Sequence, residues 1–364
     1  MSWRPLGIIA AVVGGALLLG SVTASAQAGT NLIDLGAVAP GLGINNSGQV
    51  VLRNYWYSQG TLTAFPNGFQ GNAINASGHI AGGYGIYYYG TVTALPTPGN
   101  GAYYDFQDPN PVAINDSGAV TIEYSVDEVA NASVLYSNGT LSANIDIPGI
   151  VGCGTDFTAY AMNDSDQILG NCGELQGGVF IYDAAKNDAE DMGVSGSGFA
   201  INASGEATGT FSSPSSTGAF LYSHGKVTVL PDGAGAGYAI NASGFIVGDG
   251  VNNTNHAFFY NGDTTIDLNT LVQSTDPLKP YVTLTDARGI NDSGLVIVNG
   301  IDSRDNTAHA YLMQMPQSST LVGAAPSPAK SGGGAFDSLS LSFLVGMLAL
   351  HRIRRNIRLP QEPH

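Results

Sequence analysis

The sequence predicts an all-β fold: a seven-bladed β-propeller with four strands per blade, in which the N-terminal strand completes the last blade. Three observations favour it. A turn signature recurs seven times, each interval holds four short strand patterns, and an extra strand pattern precedes the first repeat. Four short strands in roughly 40 residues match the size of one propeller blade.

The repeated signature is Ile-Asn-Xaa-Ser-Gly, with one degenerate copy. Its copies are Ile44–Gly48, Ile74–Gly78, Ile114–Gly118, Met162–Asp166, Ile201–Gly205, Ile240–Gly244 and Ile290–Gly294. Asn and Ser side chains accept hydrogen bonds from backbone N–H groups two residues on, and Gly adopts the positive φ of a tight turn. The signature therefore predicts a hairpin turn, with Asp166 a tolerable substitute for Gly.

The strand count predicts how the ring closes. Each signature is followed by an apolar strand, an aromatic third strand such as Ala257–Tyr260, and a fourth strand such as Thr265–Leu268. The last repeat stops at Met313 after three strands, and the unassigned pattern Asn31–Gly36 resembles a fourth strand. Pairing the two would remove both sheet edges. An open β-solenoid is the competing architecture, and it has no use for the N-terminal strand.

Both ends of the chain predict export, and the sequence divides into four segments. Arg4, the apolar run Leu6–Val22 and Ala24-Ser25-Ala26 predict a signal peptide at residues 1–26, with cleavage after Ala28 equally compatible and a retained anchor the alternative. The propeller then spans 27–316, and a Pro/Ser/Gly linker spans 317–334. Residues 335–364 carry a short apolar run and four arginines, which predict a sorting or anchor helix with a basic tail.

The C-terminal segment resembles the bacterial GlyGly-type sorting signal, which implies processing by a rhomboid-family protease. The resemblance rests on Gly332-Gly333-Gly334, the apolar run Leu339–Leu350 and the arginines, and it departs from the pattern in the extra residues Leu359–His364. An ordinary tail anchor is the alternative. Either way the expected location is the cell surface or the exterior of a Gram-negative-type bacterium.

The repeats themselves resemble the bacterial extracellular family named for its His-Ala-Phe motif. The motif is present as His256-Ala257-Phe258 and, with Tyr for Phe, as His309-Ala310-Tyr311. Elsewhere other residues replace the His, such as Gly178 and Gly218. The resemblance covers nearly all of Asn31–Met313, and it implies location and shape more than activity.

Charge excludes one class of partner. Residues 27–329 hold 26 acidic and six basic side chains, so the propeller should repel phosphate backbones, and nucleic acid is not an expected partner. A glycan or a protein at the cell surface is expected instead, with membrane contact only through the C-terminal segment before processing. Oligomeric state has no signal in the sequence.

Candidate site residues are few, and no catalytic set can be assembled. Long loops on the face away from the repeated turns are the expected place for a ligand, near the central channel. Candidate ligand-binding residues are Tyr103, Tyr104, Asp105, Asp108, His256 and His309. The two histidines also fit packing roles. Cys153 and Cys172 are the only cysteines and predict a disulfide in an exported chain.

No cofactor is predicted, although Ca²⁺ is compatible with one acidic group, which a solvated loop explains equally well. Its members are Asp183, Asp188, Glu190 and Asp191. The sequence favours a non-catalytic binding module for a glycan, a peptide or an envelope partner. A structural or adhesive envelope role and a glycan lyase or hydrolase are the alternatives, since a propeller by itself does not specify function.

Overall fold

The computed structural model describes residues 29–96, 110–126, 130–145, 147, 153, 157–172, 178–214, 216–251 and 254–316. These residues form antiparallel sheets and one four-residue helix. No helix in this described part is long and apolar enough to cross a membrane. The predicted signal peptide, the linker and the C-terminal segment lie outside it.

The strands follow the seven repeats along the chain. After β1 (Leu32–Asp34), the first three repeats contain β2 (Gly41–Ile44), β3 (Val50–Leu52), β4 (Tyr55–Ser58), β5 (Thr61–Ala64), β6 (Gly71–Ile74), β7 (Ile80–Gly82), β8 (Gly85–Tyr88), β9 (Thr91–Ala94), β10 (Asn110–Ile114), β11 (Val120–Val126), β12 (Ala130–Ser137) and β13 (Thr140–Asn144). The fourth and fifth contain β14 (Phe157–Met162), β15 (Gln167–Cys172), β16 (Gly178–Asp183), β17 (Asp188–Ile201), β18 (Ala207–Ser213), β19 (Ser216–Ser223) and β20 (Lys226–Val229). The last two contain β21 (Ala236–Ile240), β22 (Ile246–Asp249), β23 (Ala257–Tyr260), β24 (Thr265–Asp267), helix α1 (Leu268–Leu271), β25 (Val282–Ile290), β26 (Leu295–Asp302) and β27 (Thr307–Gln314).

Neighbouring strands of each repeat pair in sequence order. Five sheets have four strands each, and the fourth and fifth repeats share a seven-stranded sheet. The 14-residue strand β17 joins them, because its first half pairs with β16 and its second half pairs with β18. The sequence placed a weak fourth strand at Glu190–Gly193 and did not predict that it continues into the next repeat.

The N-terminal strand lies where the strand count expected it. β1 pairs antiparallel with β27, in a sheet of order β1-β27-β26-β25. The Leu32 N–H also donates to an Asp276 carboxylate oxygen at 2.7 Å, and the Leu35 N–H donates to the Ala310 carbonyl at 2.9 Å. The residues that begin the described chain therefore supply the fourth strand of the last repeat.

The hydrophobic core lies between adjacent repeats. One cluster joins Val51 and Phe65 of the first repeat to Ile80 and Tyr87 of the second. Similar clusters lie between the other neighbouring sheets, as expected where the inner faces of sheets pack on one another. The stability of each repeat therefore depends on the neighbours on both sides.

The repeated turn performs two functions. The Asn202 side-chain oxygen accepts hydrogen bonds from the N–H groups of Ser204 and Glu206, both at 3.0 Å, which is the predicted turn chemistry. Its Nδ2 donates to the Asn241 carbonyl of the next repeat at 3.0 Å. The Asn is buried. Its side chain both forms the turn and joins two repeats, and we call the bond to the next repeat the asparagine clasp.

This asparagine clasp recurs from repeat to repeat. In six of the seven signatures, Nδ2 donates to the carbonyl of the next signature Asn, at 3.0–3.3 Å, and the last bond runs from Asn291 to Asn45. In the third repeat, Asn115 donates instead to the Asp166 carboxylate at 2.7 Å. Asp166 has φ 57°, so it occupies the left-handed conformation that Gly occupies in the other copies.

Small residues in the innermost strands allow the repeats to approach closely. A Cβ added at Gly237 would lie 2.1 Å from the Thr208 Oγ1 of the preceding repeat, and one at Gly71 would lie 2.5 Å from Val51. A real side-chain atom cannot occupy either position without displacing its neighbour. Part of the high glycine content therefore serves packing between repeats.

We expect Gly237→Ala to lower the free energy of unfolding by about 1–3 kcal/mol, the usual cost of overpacking. Chemical denaturation measures it. Gly43→Ala is the matched control, because a Cβ there would meet its nearest neighbour, Val51, at an ordinary 3.4 Å. Equal stability of the two variants would contradict the packing argument.

Two sequence expectations need correction. Thr265–Leu268 is not wholly a strand: β24 ends at Asp267, and helix α1 begins at Leu268, with the Asp267 side chain accepting from the Asn269 N–H. Three segments that the sequence predicts as long loops are mostly strand: Glu123–Asn131, Thr210–Thr217 and Gly300–Thr307. Their backbones continue to pair up to Val126↔Ala130, Ser213↔Ser216 and Asp302↔Thr307.

Candidate functional site: the mouth of the central channel

Every innermost strand carries a β-bulge at the same place. In β17, Gly198 pairs with Gly209 and Ala200 pairs with Thr208, which leaves Phe199 without a partner in the ladder. The same shift occurs three residues before the signature Asn in all seven repeats. A bulge redirects the side chain of its extra residue. The fold thus presents one side chain per repeat at a repeated position.

Six of these seven side chains line one cavity of about 310 Å³, which we call the channel mouth. They are Leu42, Asn72, Val112, Tyr160, Phe199 and Arg288. The seventh bulge residue, Tyr238, lies beside the mouth, next to Ala239 of its lining, and contacts Arg288. All seven bulge residues lie in the innermost strands three residues before the signature Asn, and thus further from the signature turns than Ile44 and its equivalents. This is the face on which the sequence expected a ligand.

Three consecutive repeats place aromatic rings in or beside the mouth, and together these rings form what we call the aromatic arc. The Tyr160 and Phe199 centroids are 6.1 Å apart with the rings nearly perpendicular, and those of Phe199 and Tyr238 are 5.5 Å apart at 39°. Tyr160 remains 38% exposed. The rings support one another while leaving ring surface open to a ligand.

Arg288 closes one end of the arc. Its guanidinium carbon lies 3.7 Å from the Tyr238 ring centroid, and its Nε donates to the Asp286 carboxylate at 2.6 Å. The Tyr238 hydroxyl donates to Asp249 at 3.2 Å. The stacked guanidinium and its carboxylate partner hold the Tyr238 ring in a defined orientation.

A carboxylate stands near each end of the arc, and burial affects both. Desolvation raises the pKa of Asp249, although hydrogen bonding from Tyr238 and the charge of Arg288 oppose it. Desolvation also raises the pKa of Glu123, with a hydrogen bond from Asn110 in opposition. Burial raises the pKa of Tyr160, and the charge of Glu123 adds to the effect. For both carboxylates, neighbouring hydrogen bonds and charges offset only part of the cost of desolvation.

The other side of the mouth is less aromatic. Asn72 Nδ2 donates to the Asn110 side-chain oxygen at 3.1 Å and to the Pro111 carbonyl at 2.9 Å. Leu42 and Val112 occupy the neighbouring bulge positions. This side offers an amide and two aliphatic surfaces opposite the aromatic arc.

A ring of apolar side chains forms the floor of the mouth. We call it the apolar collar: Ile44, Ile74, Ile114, Met162, Ile201, Ile240 and Ile290, one residue before each signature Asn. The collar also borders a second cavity of about 230 Å³ that lies among the signature turns. The two cavities therefore meet at the collar, and a polar ligand in the mouth finds an apolar floor.

Of the predicted ligand-binding residues, only the two histidines lie in the described part of the chain, and neither lines the mouth. Tyr103, Tyr104, Asp105 and Asp108 fall outside the described residues. His256 contacts Asp267 through Nδ1 at 2.8 Å, and His309 contacts Asp34 through Nδ1 at 3.0 Å. Each pair joins the third and fourth strands of one repeat, so in this structure the two histidines make strand-to-strand contacts.

The structure pairs Cys153 with Cys172, with Cα atoms 4.9 Å apart, a separation normal for a disulfide. In the acidic group suggested for Ca²⁺, Asp183 bonds Lys186 at 2.6 Å, and that hydrogen bond is the main cause of its lowered pKa. Glu190 accepts from the Tyr222 hydroxyl, and burial together with this bond raises the pKa of Tyr222 to about 12. Ca²⁺ binding by this group stays a prediction.

One further cluster lies where β1 meets β27, which we call the seam. Asp34, Asp302 and His309 bring potential ligand atoms within 4.8 Å of one another. Arg304 donates to the nearly inaccessible Asp302 through Nε and Nη2, and its hydrogen bond is the main cause that lowers the pKa of Asp302 to about 2. The carboxylates are thus engaged by a guanidinium and an imidazole, which is typical of an ion-pair network.

The seam predicts a pH dependence. Burial lowers the pKa of His309, but the hydrogen bonds with Asp34 and Asp305 outweigh it and raise the pKa above its ordinary value. A raised pKa stabilises the fold below the unfolded-state pKa, and the contribution is lost as pH rises through the folded-state pKa. Asp302, Arg304 and Tyr311 also adjoin this imidazole.

Wild-type protein should therefore lose up to about 1 kcal/mol more stability than His309→Gln between pH 6 and pH 9. Thermal unfolding across that range measures the difference. His79→Gln, which removes an imidazole stacked on Tyr88, is the control and should retain the wild-type slope. Identical pH profiles for all three proteins would contradict the assignment.

Known proteins similar to this chain are found among solved structures. No family model and no curated protein matches the chain. Matching solved structures include the β-propeller domain of the Trilobed protease from Pyrococcus furiosus, at 8% identity and TM-score 0.47, covering 83% of this chain and 100% of that one. RRP9 WD40 repeats match at 10% identity and TM-score 0.47, covering 79% and 99%. This likeness carries no argument about ligand or activity.

Four-stranded antiparallel sheets around a central channel define the class: the chain is an all-β propeller protein. Its most differentiated surface is the channel mouth. Sequence reasoning missed the mouth residues, although a signal was present. The position three before each signature Asn varies widely, while the position one before it is Ile in six copies and Met in the other.

Proposed function

We propose that this protein is a recognition module that binds its ligand in the channel mouth. The observation that carries the proposal is the bulge in every innermost strand, which directs six variable side chains into one cavity and places the seventh, Tyr238, beside it. Four adjacent repeats use it for Tyr160, Phe199, Tyr238 and Arg288. A rigid scaffold with one variable side chain per repeat is suited to recognition.

The scaffold in this proposal is a seven-bladed propeller closed by β1. Seven signature turns support the count, with β17 serving as the last strand of one blade and the first of the next. The pairing of β1 with β27 and the return of the asparagine clasp from Asn291 to Asn45 support closure. A closed ring keeps the seven bulge residues at fixed distances around one cavity.

The proposed location is the cell surface or the exterior of a Gram-negative-type bacterium. The predicted signal peptide and the resemblances to the GlyGly-type signal and the His-Ala-Phe family support it. The cysteine pair is also typical of oxidising compartments. The proposed partner is a glycan or protein at that surface, and the acidic charge of the chain argues against nucleic acid.

An array of glycans and peptides, screened with and without Ca²⁺, tests the proposal. Phe199→Ala should reduce binding to the recognised compound at least tenfold, because Phe199 contacts both other rings of the arc. Tyr88→Ala is the matched control: Tyr88 is 43% exposed but lies at the signature-turn end of β8. This control should bind as the wild type does.

The outcomes separate the candidate roles. Saturable binding lost only in Phe199→Ala supports recognition at the mouth. Binding that both variants retain would place the ligand site elsewhere. Absence of binding to every compound would overturn the recognition role in favour of a structural or adhesive envelope role.

A glycan hydrolase or lyase is the second candidate, because burial raises the pKa of both Asp249 and Glu123. Recognition is preferred because the two carboxylates flank opposite ends of the aromatic arc, whereas glycosidase carboxylates face each other across one bond. Mass spectrometry of a recognised glycan after incubation tests catalysis. Cleavage that Asp249→Asn abolishes would establish the enzyme.

A further inference from the structure

The charge balance around the aromatic arc restricts the ligand. Three carboxylates adjoin the aromatic arc, on Glu123, Asp249 and Asp286, against one guanidinium, on Arg288. Asp286 already pairs with that guanidinium at 2.6 Å. Two carboxylates therefore remain without a cationic partner among these groups. An anionic ligand would meet repulsion here, and the chain as a whole carries a formal net charge of −16.

The aromatic arc restricts the ligand further. Aromatic faces attract cations and also pack against the C–H face of a sugar ring, and Arg288 already demonstrates the first interaction on Tyr238. The nearly perpendicular Tyr160 and Phe199 rings present a wall and a floor to a bound group. Asn72 and Asn110, on the other side of the mouth, carry amides of the kind that bond hydroxyl groups.

Resting on the proposed recognition role, we propose that the mouth binds an oligosaccharide of amino sugars. A pyranose ring stacks in the aromatic arc, its ammonium group pairs with Asp249 or Glu123, and its hydroxyls meet the amide side. Each part of this ligand is complementary to one feature of the protein: the pyranose ring to the aromatic faces, the ammonium group to the excess negative charge, and the hydroxyls to the amide side chains.

The carboxylates give the proposal a pH signature. Desolvation raises the pKa of Asp249 and Glu123, so at a given pH each holds its proton more often than an ordinary carboxyl group does. An ammonium group favours the charged forms, and binding should release protons in the range where these carboxyl groups titrate. Affinity should therefore rise with pH through that range. Tyr238, Arg288 and Asp286 are the other charged or titratable groups around Asp249.

Titration calorimetry with three trisaccharides tests the proposal on the purified protein. Glucosamine trimer is the cationic probe, N-acetylglucosamine trimer is the neutral probe, and galacturonic acid trimer is the anionic probe. At about pH 6 and low salt, the glucosamine trimer should bind at least tenfold more tightly than the acetylated trimer. The galacturonic acid trimer should not bind, and added salt should weaken the glucosamine complex.

Charge variants locate the effect. The double variant Asp249→Asn with Glu123→Gln should lose the preference for glucosamine while keeping the shape of the mouth. Asp263→Asn is the control: Asp263 is an exposed carboxylate in the β23–β24 turn, at the opposite end of its repeat. It removes the same kind of charge and should keep the preference.

The outcomes distinguish this inference from the proposed function. Equal or tighter binding of the acetylated trimer, lost in Phe199→Ala, would overturn the amino-sugar inference and leave recognition at the mouth intact. Glucosamine binding that neither the double variant nor Phe199→Ala changes would overturn both. Absence of binding to all three trisaccharides would overturn the inference, and the array then decides the recognition role separately.

Discussion

A chain of residues 37–316 should be less stable than one of residues 27–316 by on the order of 5 kcal/mol, a value comparable with the whole stability of many domains. The deletion removes the β1–β27 ladder and the bonds of Thr30, Leu32 and Leu35 to the rest of the last repeat. Each lost bond costs about 1 kcal/mol. It also leaves β27 as an open sheet edge, which favours aggregation. Urea unfolding and light scattering measure both effects.

Adding the strand back provides the control for this deletion. A synthetic peptide of residues 27–38 should bind the shortened chain and restore part of the lost stability, because it can form the same ladder with β27. A peptide of the same composition in scrambled order should not. Equal stability of the two chains without any peptide would contradict ring closure by β1.

Asn202→Ala should lower the free energy of unfolding by about 3–4 kcal/mol. The change removes the acceptor for two turn N–H groups and the Nδ2 donor to Asn241 and Glu206. Each bond is worth about 1 kcal/mol, and the Asn202 side chain that makes them is itself buried. Equilibrium urea denaturation gives the value directly.

Asn202→Asp separates the two roles of this side chain. It keeps an oxygen for the turn N–H groups but replaces the inter-repeat donor with a buried charge that faces the Asn241 carbonyl. We expect Asn202→Asp to be at least as destabilising as Asn202→Ala if the clasp matters, and nearly neutral if only the turn matters. Ala203→Gly, at the exposed neighbouring position, is the control and should cost about 1 kcal/mol or less.

Local chemistry made the strands and turns predictable. The signature Asn, Ser and Gly determine the hairpin through bonds within five residues, and the structure places each predicted turn as expected, including Asp166 at positive φ. The N-terminal strand was also predictable, because counting strands left one place empty in the last repeat. These features depend on short-range backbone preferences or on simple completeness of the repeat.

Contacts between repeats were not predictable from the same patterns. The Nδ2 donor of the clasp reaches a carbonyl 30 to 50 residues away in most repeats, and nothing in the local pattern specifies it. The continuation of β17 through two repeats depends on partners on both sides, which only packing supplies. Helix α1 was missed because a four-residue helix has almost no periodicity.

For the candidate site too, local sequence determines some features and packing between repeats determines the others. The sequence by itself determined the all-β repeat class, the turn chemistry and the face on which a ligand is expected, because these follow from short-range backbone preferences repeated seven times. Only the tertiary structure decided which side chains share the mouth. A bulge is a mismatch between two strands, and a channel exists only when all the repeats surround it. Residues as distant as Leu42 and Arg288 therefore become parts of one surface through packing alone.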